Sequence, residues 1–142
     1  MADADANDES YHALCAYTLA RGDAAFIHQH VVDAFAAQRA GERSKPIGVA
    51  FALVGLYLHV EKQWSGRQVQ RAHMLLARRK RAWPVFALGE DRGAMTAADV
   101  MNTAAGPARD AAIHAWCVSV WTALDIHRPA IVRLLADVGI TP

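Results

Sequence analysis

Cysteine is scarce in this chain: Cys15 and Cys117 are the two present, and neither belongs to a CxxC pair. That excludes a disulfide framework and leaves no structural zinc knuckle to expect. Both fall in apolar helical surroundings, which raise a thiol's pKa and make it inert. The familiar signatures of catalysis are missing too. There is no HExxH, GxSxG, P-loop or GxGxxG, and no repeated ExxH of the di-iron bundles. Long apolar runs are absent as well. Ile47 to Val60 and Ala111 to Leu124 are two long uncharged stretches of 14 residues each. A membrane-crossing helix needs about 20 apolar residues, so no membrane span is expected. These runs read instead as two buried central helices, with Gly48, Gly55 and Ser119 permitting close helix contact. The net charge of +1 makes the chain no polyelectrolyte. The opening MADADANDES lacks the basic start and apolar run of a signal peptide, so a cytoplasmic location is expected.

What the chain has is helical patterning. A hydrophobic fraction of 54% against 20% charged is a globular composition. No segment alternates long enough for a sheet. Residues 1–9 read as a flexible acidic tail before a single domain over 10–142. A first helix is expected from Ser10 to Arg21, with Gly22 as its stop. Asp23 caps a second helix reaching Arg39, with Ala24, Ile27, Val31 and Phe35 on its apolar stripe. Ser44 caps a third, with Pro46 in its first turn. Ser65 caps a fourth, running to about Arg81 before Pro84. Thr96 starts a short helix, Gly106 and Pro107 open the second central one, and Pro129 falls in the first turn of the last. The fold class expected is all-α: a compact bundle of five to six helices around two apolar central ones.

Seven histidines stand out in 142 residues: His12, His28, His30, His59, His73, His114 and His127. Histidine titrates near neutrality and is the commonest metal ligand. No two lie four apart, so a metal would need one ligand from each of several helices. His28 borders the apolar stripe of its helix. His30 and Asp33 form an i, i+3 pair on a more polar face, which reads most simply as a solvated ion pair. His114 reads as a core group and His127 as a helix-end cap. Trp116 and Trp121 are five apart on one helix, so one is expected in the core and the other at a pocket wall. Six cations, Arg67, Arg71, Arg78, Arg79, Lys80 and Arg81, crowd the fourth helix without an intervening acid. They read first as a solvated basic face. The alternative is an anion site on Arg71, Arg78, Arg79 and Arg81.

The run HQHVVDAFAAQ, then LYLHVEK, then RAWPVF with RGAMTAADV, then WCVSVWTALDIHRPAIVRLL resembles an uncharacterised bacterial family described only as a domain of unknown function. The most specific parts are His28, Val32, Asp33, Ala34, Phe35, Ala36 and Gln38, and the C-terminal Trp116, Trp121 and His127. Many members of that family start with a CxxC segment and carry a further cysteine near the first helix. Here Tyr11 and His12 occupy that region. Where members carry His-Pro-Gly after the glutamine, this chain has Arg39, Ala40 and Gly41, and Phe51 stands where the third helix starts with histidine. The resemblance implies a fold and recurring positions, not a reaction. It favours His28, Asp33 and His127 as acid–base residues, with Gln38, Trp116 and Trp121 binding a ligand. His28 and His127 are also the candidate metal ligands, although a divalent metal is not the favoured reading.

The function expected is therefore a small-molecule- or metal-binding helical bundle with a His/Asp/Trp pocket, with enzymatic activity left open. The alternative is a non-catalytic interaction module whose basic fourth helix, Arg67 to Arg81, meets an acidic partner or nucleic acid. A homodimer is compatible with the composition. Nucleic acid is the less expected partner.

Overall fold

The computed structural model describes the backbone from Ala2 to Pro142 and side chains from Asp5 onward. Six helices of ten or more residues form a bundle: α1 (Ala2–Arg21), α2 (His28–Arg39), α3 (Pro46–Lys62), α4 (Gly66–Ala77), α6 (Pro107–Leu124) and α7 (Arg128–Asp137). A short α5 (Ala97–Met101) precedes α6, and a 3-10 turn over Asp125–His127 leads into α7. No strand occurs among the described residues. The all-α bundle expected from the helical periodicities is the fold observed.

Helix starts follow local chemistry. Ser65 and Gln68 form a reciprocal capping box at α4, and Thr96 and Asp99 form another at α5. Pro46, Pro107 and Pro129 each occupy a first turn, where a missing N–H costs nothing. Ser44 is not the cap expected for α3. Its Oγ instead accepts from Gly41 N at 3.0 Å, closing the preceding turn, and Lys45 is the residue before the helix. Asp23 likewise closes a turn, accepting from Ile27 N at 3.0 Å, so α2 starts later, at His28.

Two boundaries differ more. α1 starts at Ala2 rather than Ser10, so residues 2–9 extend the helix rather than forming a tail. Alanines favour helix, acids suit a helix N-terminus, and Asp8 pairs with Arg39. Met1 and the Asp3 side chain of that expected tail lie outside the described residues. α4 stops at Ala77 rather than Arg81. Four consecutive cations repel one another there, and the residue before Pro84 is pushed out of helical geometry.

α3 is the central helix, buried continuously from Ala52 to Leu58. α6 is central on one face only. Ile113, Trp116, Cys117, Val120, Trp121 and Leu124 are buried while His114 and Thr122 are exposed. Of the residues expected to permit close helix contact, Gly55 does so, while Ser119 of α6 meets a loop glycine instead. A Cβ on Gly55 would lie 1.8 Å from Asp33 Oδ2, which brings α3 against α2. Gly93, at φ +89°, lies against the Ser119 backbone and holds the 78–95 connection on α6. Gly48 faces open space.

Candidate functional site

The inward face of α2 is rotated from the sequence expectation. His30, Val31, Asp33, Ala34 and Ala37 are buried, while Phe35 is half-buried and stacked on Tyr11 at 3.8 Å. The alanines let α2 approach its neighbours, and that places His30 inside. It is 5% exposed, so the surface ion pair expected for His30 and Asp33 is replaced by two buried groups.

At the end of α3 the chain turns through Gln63, in left-handed conformation at φ 55°. Gln63 N–H bonds to His59 O, and Trp64 N–H reaches back to Leu58 O at 3.0 Å. This reversal brings the Trp64 carbonyl 3.4 Å from His59 Nδ1. A carbonyl only accepts, so Nδ1 carries the proton and His59 Nε2 keeps its lone pair. His114 Nδ1, 3.2 Å from that Nε2, must therefore donate to it. The result is a directed pair in which His114 donates to His59, and His114 Nε2 enters no hydrogen bond among the described residues. His30 stacks on His59 with ring centroids 3.6 Å apart, and His114 meets His59 edge-on at 5.1 Å.

These three histidines line a pocket of about 420 Å³ between α2, the α3–α4 turn and α6. Ile27, Trp64 and Ile113 supply apolar wall. The polar lining is mostly committed elsewhere: Asp23 closes its turn, Asp110 pairs with Arg21, and Ser65 and Gln68 cap α4. Burial, reinforced by His59 and His114, pushes His30 down to about 3. Burial, with His114 adding to it and the Trp64 carbonyl opposing, pushes His59 down to about 4. Both are uncharged near neutrality. His30 Nδ1 is buried without a partner.

Depressed histidine pKa values give stability that is complete above the unfolded value, about 6.5, and is lost as pH falls towards the folded values. Acidification from pH 7 to pH 5 is thus expected to charge His30 and His59 preferentially in the unfolded chain. In urea unfolding, His59→Gln should reduce the loss of stability over that interval by about 1 kcal/mol relative to wild type. Parallel pH curves for the two proteins would show that His59 is not held neutral.

Asp33 lies one helical turn beyond His30. Gln29 Nε2 donates to its Oδ1 at 3.0 Å, and Oδ2 has no partner. Burial pushes its carboxyl well above the ordinary range, against the smaller pull of Gln29.

The residues singled out with Asp33 by sequence are dispersed. His28 Nδ1 is 2.9 Å from Thr18 Oγ, and the ring meets Phe26 edge-on. His127 packs edge-on against Phe86. Neither lines the three-histidine pocket, and no hydrogen bond or ring contact joins the two among the described residues. Gln38 is a clamp: its amide donates to Met95 O at 2.6 Å and Arg92 O at 3.2 Å, and its Oε1 accepts from Trp116 Nε1 at 3.1 Å. Trp121 donates to Glu61 at 2.6 Å, and Glu61 also holds Arg128. Both tryptophans are buried, with their N–H groups satisfied inside the bundle. Among the described residues, no group of three or more His, Cys, Asp or Glu is arranged to hold a metal ion. His114, read as a core residue, is exposed because α6 turns that face outward.

The basic residues divide between two surfaces. Arg71 and Arg78 flank the exposed Met74 and Leu75. Arg79, Lys80 and Arg81 continue beyond the helix towards α7.

Residues 6–125 match the model of a family described as "Family of unknown function (DUF5946)". The chain belongs to this family. The match covers α1 through α6, and so every element that lines the three-histidine pocket of this DUF5946 member. No curated protein and no solved structure matches the chain. No helix among the described residues is long and apolar enough to cross a membrane.

Proposed function

We propose that this DUF5946 protein binds a small molecule in the pocket of His30, His59 and His114, and that His114 Nε2 exchanges a proton or hydrogen bond with the ligand. The observation that carries this reading is the ordered chain Trp64 carbonyl–His59–His114. It supports the reading by orienting the His114 ring through Nδ1 and leaving its Nε2 without a hydrogen-bond partner at the pocket. A volume of about 420 Å³ lies in the ordinary range for small-ligand sites. The apolar wall and the absence of an uncommitted lining acid favour a ligand without positive charge. Burial keeps His59 uncharged, so its Nε2 remains an acceptor that orients the His114 ring.

The test is an NMR fragment screen with neutral and anionic aromatic fragments. Binders are expected to shift the Trp64 indole and His114 imidazole signals, and His114→Ala should weaken them about ten-fold, the loss of one good hydrogen bond to a desolvated group. Hits that all map elsewhere, or that bind His114→Ala as well as wild type, would sink the proposal.

A further inference from the structure

A second concavity lies beyond the C-terminal end of α4. The connection leaving α4 and the outer face of α7 enclose an open groove of about 630 Å³. Arg79, Lys80 and Arg81 line one side and Arg133 the other, with Asp137 as the single acid among them. Asp137 is already engaged, accepting from Arg81 Nη1 at 3.2 Å. Arg79, Lys80 and Arg133 enter no ion pair among the described residues. Four cations from two chain segments thus converge on one hollow against one neutralised carboxylate.

Arg81 is the best held of them. Its side chain is 15% exposed, and the guanidinium sits 5.6 Å from the Trp83 ring centroid. Its Nε is buried and makes no hydrogen bond. A guanidinium fixed in place is well matched to phosphate oxygens, and the exposed Lys80 can add a point charge.

We propose that this groove binds a compact phosphate-bearing ligand, such as a molecule with a pyrophosphate group. The charges meet around a hollow instead of extending as a stripe. Arg71 and Arg78 belong to the separate patch around Met74 and Leu75, so the geometry favours a small ligand over an extended nucleic-acid strand. The site is independent of the histidine pocket and shares no lining residue with it.

Calorimetric titration with sodium pyrophosphate at low salt tests this, beside titration with a short single-stranded oligonucleotide. Saturable pyrophosphate binding is expected, weakened about ten-fold or more in Arg79→Glu/Arg133→Glu by charge reversal. Both side chains are exposed, so circular dichroism should confirm an unchanged fold. Arg71→Glu, on the other patch, should bind as wild type does. Absence of saturation, equal weakening by Arg71→Glu, or binding of the oligonucleotide without pyrophosphate would each overturn the assignment.

Discussion

Gly66→Ala is expected to cost about 3 kcal/mol of folding stability, the range of overpacking at a site that cannot yield. The added Cβ would lie 1.8 Å from Phe26 O and 2.8 Å from Phe26 C. Those are backbone atoms, so no rotamer change relieves the clash. Phe26 itself is held at φ 57°, outside the comfortable range of a bulky residue, so the turn before α2 has little freedom to retreat. Moving α4 away instead would break the bond from Arg67 N to Ala25 O, 3.0 Å long. That junction also joins two walls of the histidine pocket, Ala25 and Ile27 on one side and Ser65 and Gln68 on the other. Urea unfolding measures the loss. Gly41→Ala is the control, because its Cβ would meet nothing within 4 Å. A Gly66→Ala loss as small as that of the control would mean that α4 can shift away without consequence.

Asp33→Asn is expected to stabilise the protein at pH 8 by about 2 kcal/mol, the scale of a poorly compensated buried carboxylate. Burial raises the folded pKa of Asp33 above its unfolded value. Its contribution is therefore complete below about pH 4, the unfolded value, and is lost as pH rises towards the folded pKa. Asparagine has the same shape, stays neutral and still accepts from Gln29. Nothing nearby compensates the charge. Tyr11 and Cys117, whose own ionisation the Asp33 charge opposes, offer no cation, and burial pushes His30 to the neutral form. The advantage should vanish near pH 4. Equal destabilisation by Asp33→Asn at both pH values would show instead that the carboxyl makes an interaction the amide cannot replace.

The helices were legible because their signals are local. Ser65 with Gln68, Thr96 with Asp99, and the first-turn prolines each act within one turn of chain. α2 shows where this ends. Its large apolar residues suggested one inward face, but Ala34 and Ala37 decide the docking, because small residues permit the closest approach. Rotating the face exchanged the roles of His28 and His30. The pocket was less legible still. His30, His59 and His114 come one each from three helices and meet through the packing of those helices, while the left-handed turn at Gln63 adds the Trp64 carbonyl. Gln63 is neither glycine nor asparagine, so the sequence gives no warning of it. The tail motif of Trp116, Trp121 and His127 stood out for a different reason: its tryptophans tie the bundle together through Gln38 and Glu61.

The Trp64 carbonyl gives the imidazole chain a direction. A proton passed inward from His114 would have to charge His59, which burial and His114 hold neutral. His59 would then need to release its Nδ1 proton, and a peptide carbonyl will not take it. The wire ends blind. Under the proposed reading, any exchange with a ligand would therefore begin and end at the pocket, with no passage through the bundle.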